Sequence, residues 1–303
     1  MHSSPLDHLL HTHGMLPLPG DLTLTPVSEF SVVSMSAEQA VLERNLDVYV
    51  QGSGAALLLA HGAGGGIEGN FGLVLDDLAR DHTLIGPHYP GAGGTPVATE
   101  PLDPDELADA LVASAVARGH EAFAILGESL GTAIAVRAAT RHPERVTGLV
   151  LTAGFPVADP ALAHASQLIA LLGKAGEWEE VARLAFLACL SESQLNGLSP
   201  TDVEEAVAQV EASMPPGMLD HFDLVSRVDV RGDLTGVTAP TLVFAPTGDR
   251  LVLPESSRRL AAGIQTATLI ELPGAGHILD ADNRALWLGH VRRFLASLGP
   301  ISA

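Results

Sequence analysis

At 303 residues, with 47% apolar side chains, the chain is long for one ordinary domain yet suits a large α/β sheet carrying an inserted lobe. Its 16 Lys and Arg stand against 36 Asp and Glu, a formal charge of −20. That balance excludes nucleic acid as a partner, because polyanion binding needs clustered cations. The single cysteine, Cys189, excludes an intrachain disulfide, and no apolar run approaches the about 20 residues of a membrane span.

Residues 1–25, rich in His, Pro and Ser, show no periodicity and read as an N-terminal extension. His8, His11 and His13 there are expected to be solvated rather than to bind metal. No basic segment followed by an apolar one opens the chain, so a cytoplasmic protein without a membrane partner is expected. Two β-rich stretches, 30–35 and 46–50, predict an antiparallel edge leading into the main sheet. Residues 56–60 form an apolar run ending at His61-Gly62, as a buried parallel strand would. A short strand follows at 83–85. Asp103-Pro104-Asp105-Glu106 then opens a helix with an N-cap acid, proline at N1 and glutamate at N3; it runs to Arg118 and stops at Gly119.

A strand at 122–126, a helix at 132–141 ended by Pro143, and a strand at 147–152 continue the alternation. It lapses over 155–235, where only helical segments occur, among them Thr201 to Glu204 with the pattern of a capping box. Cys189 lies there in the apolar run 184–190 and reads as a small buried hydrophobe. Strands at 241–245 and 268–272, with a helix ending at Gly263 between them, restore the pattern before a last helix at 282–298. Strands alternating with helices predict a mostly parallel sheet flanked by helices. The core is expected from 26–154 and 236–303, and a helical cap from 155–235.

Gly127-Glu128-Ser129-Leu130-Gly131 matches G-x-S-x-G between a strand and a helix, the context in which a serine becomes an exposed nucleophile on a tight turn. A serine hydroxyl needs a positioned base. His277, on the Gly-rich loop Gly274-Ala275-Gly276 after the last strand, is the histidine best placed to supply it. Asp249, in Thr247-Gly248-Asp249 after the preceding strand, is the expected orienting acid. Asp280 and Asp282 stand on the helix side of the histidine loop, and Asp223, Asp229 and Asp233 lie in or near the cap, so all five are weaker candidates. Acyl transfer also needs donors for the oxyanion: the Leu130 N–H, following the nucleophile, and the Ala63 N–H of His61-Gly62-Ala63-Gly64-Gly65-Gly66, with Gly64 as the alternative. No lysine followed by Ser or Thr closes this loop, and dinucleotide-type glycine spacing is absent, so no phosphate cradle is expected.

With these segments in view, residues 47–298 resemble the α/β-hydrolase superfamily. The segment His61 to Gly64 resembles its oxyanion loop, Gly127 to Gly131 its nucleophile elbow, and the loops of Asp249 and His277 its acid and histidine loops. The segment from Gly86 to Gly93 departs from the family pattern in carrying His88 near an expected acid, at a structural position. The resemblance implies a cap roofing the pocket, a small-molecule substrate, and no cofactor or metal. The expected activity is hydrolysis of a carboxylic ester, thioester or lactone of a largely apolar molecule through an acyl-enzyme. C–C bond hydrolysis or acyl transfer with the same triad is the alternative, and a ligand receptor retaining the fold comes third. Trp178 and Trp287 read as packing residues, and a homodimer is left open.

Overall fold

A computed structural model describes residues 46–299. The expectations for residues 1–25, with His8, His11 and His13, and for a strand at 30–35 lie outside the described residues. Seven strands, β1 (Val48–Gly52), β2 (Ala55–Ala60), β3 (His82–Pro87), β4 (Phe123–Glu128), β5 (Val146–Thr152), β6 (Thr241–Pro246) and β7 (Ala267–Leu272), form one sheet in the order β1-β3-β2-β4-β5-β6-β7. Only β1 runs antiparallel, against β3; the other neighbouring pairs are parallel.

The strand sequences explain the layering. Parallel strands covered on both faces must be apolar on both, and β2, β4, β5 and β6 are almost continuously so. Alternation then sends Leu58 to one face and Leu57 and Leu59 to the other. The Leu58 face is covered by α3 (Pro104–Val116) and α4 (Leu130–Arg141), through Leu111 and Ile134. The opposite face is covered by α1 (Ile67–Phe71), α2 (Leu75–Leu78) and α11 (Ala281–Ser297), through Phe71, Leu75 and Trp287. The α3 cap is as expected: Asp103 accepts the Asp105 and Glu106 N–H groups, with Pro104 first in the helix.

Between β5 and β6 the chain inserts five helices, α5 (Pro160–Ala175), α6 (Trp178–Cys189), α7 (Glu192–Asn196), α8 (Pro200–Ser213) and α9 (Met218–Arg227), before returning to the sheet; α10 (Pro254–Gly263) then bridges β6 and β7. The capping box expected from Thr201 and Glu204 is set two residues earlier. Ser199 accepts the Asp202 N–H at 3.3 Å while its own N–H donates to Asp202 at 2.9 Å. Pro200 decides this register, since proline suits the first helical position, and Glu204 is free to pair with Arg183 at 2.7 Å. No helix among the described residues is long and apolar enough to cross a membrane. The loops after β2, β4, β6 and β7 leave the same end of the parallel sheet, where ligands of open α/β sheets bind.

Candidate active site

Ser129 links β4 directly to α4 with φ 54° and ψ −120°, a conformation that side chains rarely adopt. Its neighbours over-determine that turn. The Ser129 N–H donates to the Thr152 carbonyl at 3.0 Å, and Thr132 donates twice to the Ser129 carbonyl, from its N–H at 3.0 Å and its Oγ1 at 2.7 Å. The flanking glycines allow the close approach. A Cβ on Gly127 would lie 2.6 Å from the Gly131 oxygen, and one on Gly131 only 1.9 Å from the Ala60 oxygen. The strain therefore has a steric frame, built from the ends of β2 and β4.

Asp249 and His277 meet across the ends of β6 and β7. The buried Asp249 carboxylate uses both oxygens: Oδ1 accepts the Leu251 and Val252 N–H groups at 2.9 Å each, and Oδ2 lies 2.7 Å from His277 Nδ1. The Nδ1 proton thus points at the acid, leaving Nε2 as the basic nitrogen. Burial opposes charging of His277, but the adjacent Asp249 and the nearby Glu128 together raise its pKa above the ordinary imidazole value. The rival carboxylates have other partners. Asp280 caps α11 through the Asn283 N–H, while Asp223, Asp229 and Asp233 pair with Arg227, Arg231 and Arg137; Asp282 lies in the exposed first turn of α11.

The glycine-rich loop discriminates between its two expected donors. Gly64, at φ 70°, donates its N–H to His221 Nδ1 at 3.3 Å. Among the described residues, no group accepts the N–H of Ala63 or of Leu130. Ser129, His277 and this loop line one cavity of about 650 Å³. Leu162, Ile169, Met214 and Phe222 of the helical insertion supply apolar lining, and Trp287 of α11 lines the cavity as well. Trp287 also packs on Phe244 and donates to Thr152 Oγ1 at 2.9 Å. Cys189 lines the cavity too, its thiol pushed up by burial and by Asp249 and Glu128, which makes it a poor nucleophile.

Sequence reasoning passed over three polar groups here. Glu128 is held by Asn70 Nδ2 at 3.3 Å, and burial raises its carboxyl pKa against the opposing pull of His277 and that bond. His221 is the third. Their partners lie 58 and 157 residues away in the chain, so no local pattern could have flagged them. His88 is buried, accepts the Ile67 N–H at 3.4 Å and faces Glu68 at 3.3 Å, bracing the helix that follows the glycine loop.

Comparison with known proteins agrees with this architecture. Residues 55–282 match the family model described as alpha/beta hydrolase fold. A pyrrolizixenacetamide deacetylase of Xenorhabdus hominickii is 28% identical over 257 residues, covering 82% of this chain and 93% of its own. A pimeloyl-acyl-carrier-protein methyl ester esterase of Chromobacterium violaceum is 28% identical over 260 residues, covering 84% and 96%. The solved structure of a hydrolase from Pseudomonas aeruginosa superposes with a TM-score of 0.73 at 25% identity, covering 82% of this chain and 94% of that one. The chain belongs to the alpha/beta hydrolase fold family, as a hydrolase.

Proposed function

We propose that the protein is a serine hydrolase that cleaves a carboxylic ester, thioester or lactone of a small, largely apolar molecule through an acyl-enzyme. One observation carries the reading: a serine held at φ 54° on a strand-to-helix turn shares a cavity with a histidine whose Nδ1 is 2.7 Å from a buried carboxylate. Ser129 Oγ attacks the carbonyl carbon as His277 Nε2 takes its proton, and Asp249 stabilises the imidazolium that forms. The Ala63 and Leu130 N–H groups receive the oxyanion, where one such donor is worth roughly 10²–10³ in rate. The imidazolium then protonates the leaving group, and water activated by the same nitrogen releases the acid. This chemistry calls on no cofactor or metal.

The substrate class follows from the walls. Residues 155–235 act as the cap, and the side chains they bring to the cavity are mostly Leu, Ile, Val, Met and Phe. Burial of an apolar acyl or alcohol group against them contributes about 25 cal/mol per Å² removed from water. The test is intact mass after incubation with a small fluorophosphonate. One adduct is expected on the wild type, none on Ser129→Ala, and a much slower one on His277→Ala. A folded wild type that takes up no adduct, or a Ser129→Ala variant that takes it up equally, refutes the reading.

A further inference from the structure

Two successive peptide groups of the glycine loop are each held by a buried histidine. His61 Nδ1 lies 2.8 Å from the Gly62 carbonyl oxygen, and His61 Nε2 receives the Tyr89 N–H at 2.9 Å. A carbonyl only accepts and a backbone N–H only donates, so this ring is neutral with its proton on Nδ1. His221 is its mirror: Nδ1 receives the Gly64 N–H at 3.3 Å and Nε2 donates to the Pro90 carbonyl at 2.9 Å. It is neutral with its proton on Nε2. Both rings are fully buried, which itself disfavours their charged forms. Tyr89 fills the corner between them, its centroid 3.8 Å from His61 and 6.0 Å from His221.

The two histidines do different things to the loop. His61 takes the carbonyl of the peptide whose other end is the Ala63 N–H. His221 takes the N–H of the next peptide, so Ala63 stands between two clamped planes. A flip of the second plane, which a glycine at φ 70° permits, would swing the Ala63 carbonyl against the unprotonated His221 Nδ1, so the Gly64 bond fixes the Ala63 Cα that both planes share. His221 comes from α9, whose start is itself pinned to the core: the Gly217 N–H donates to Gly91 at 3.0 Å, and a Cβ on Gly217 would lie 2.4 Å from the Pro90 oxygen.

We propose that His221 is a positioning residue of the oxyanion site, its Nδ1 holding the Ala63–Gly64 peptide so that the Ala63 N–H stays aimed at the anion formed on Ser129. The inference rests on the reading of Ser129 and Ala63 given above. Two conservative variants separate the ends of the ring. Asparagine puts an oxygen where Nδ1 stands and keeps the Gly64 bond, whereas glutamine reaches the Nε2 position and keeps only the Pro90 bond.

The measurements are kcat and KM on p-nitrophenyl butyrate, the second-order rate of fluorophosphonate labelling, and the thermal midpoint, for the wild-type chain, His221→Asn and His221→Gln. Each variant loses one hydrogen bond, so similar falls in midpoint are expected. His221→Asn is expected to keep kcat within about threefold, while His221→Gln loses about 10²-fold in kcat and labelling rate with KM little changed. Equal activity in the two variants, or losses that simply follow the midpoints, overturns the proposal. If neither variant folds, nitrogen-15 NMR of the wild type decides: His221 protonated on Nε2, with a protected Gly64 amide, supports it, and His221 protonated on Nδ1 overturns it. A wild type that neither labels nor turns over defeats the hydrolase reading itself, a result distinct from an active wild type with an indifferent position 221.

Discussion

Replacing Gly131 by alanine adds one methyl group at the most crowded point of the elbow. That carbon would stand 1.9 Å from the Ala60 oxygen, 2.5 Å from the Ala60 carbon and 2.8 Å from the His61 oxygen. All three neighbours are backbone atoms at the end of β2, so no side chain can rotate away. Real Cβ atoms do not come within 3.0 Å of such an atom, so α4 and β2 must part by about 1 Å. The displacement falls between two parts of one site, since Ser129 precedes α4 and the Ala63 loop continues from β2. A misplacement of about 1 Å between reacting groups costs on the order of 10²-fold in rate, and overpacking costs about 1–3 kcal/mol in stability. The assay is kcat/KM on a short p-nitrophenyl ester beside a urea unfolding curve. Gly232→Ala serves as control, because a Cβ there meets nothing within 4 Å. A Gly131→Ala enzyme with wild-type kcat/KM refutes the claim that this contact holds the proposed nucleophile and the proposed oxyanion donor in register.

Asp249→Asn keeps an oxygen for the Leu251 and Val252 N–H groups but can no longer take the Nδ1 proton as an anion. A fall in kcat of about 10⁴ with a nearly unchanged thermal midpoint is expected, measured by ester turnover. The raised pKa of His277 predicts a pH–rate profile in which kcat/KM falls on acidification through a value above the ordinary 6.5 or so of an imidazole, as Nε2 becomes protonated. Glu128→Gln removes one of the charges that raise it, so the acid limb should move to lower pH; a limb that stays in place excludes Glu128 from that role. Cys189 should react with iodoacetamide at pH 8 far more slowly in the native chain than in urea, as mass spectrometry of timed samples would register.

Much of this arrangement was legible because its signals are local. Continuous apolar runs located β2, β4, β5 and β6, and Asp103-Pro104 located the start of α3, since burial and capping are decided within a few residues. The loops of Ser129, Asp249 and His277 could be read because each follows a recognisable strand. Their meeting could not be read, because it depends on the order in which those strands lie in the sheet. The competing patterns at Ser199 and Thr201 show a limit within the local signals themselves: both fit a capping box, and only the proline after the first selects it. Helix α4 begins at Leu130, two residues before its expected start, because the strained serine needs no loop between strand and helix. That the Gly64 N–H is engaged could not be read from the sequence, since the ring that accepts it lies 157 residues away.

The close seat of Gly217 against Gly91, with His221 one turn further along α9, bears on how substrate range in such a scaffold can be altered by recombination. An exchange of the whole segment between β5 and β6 would bring a foreign shape to the cavity wall, but it would also remove the acceptor of the Gly64 N–H. The serviceable crossover point therefore lies before Gly217. A donor segment joined there can replace α5 through α8, with most of the apolar wall, while α9 stays with the host. Chimeras cut on either side of that residue would differ by a few amino acids in sequence and by the loss of a backbone anchor in consequence.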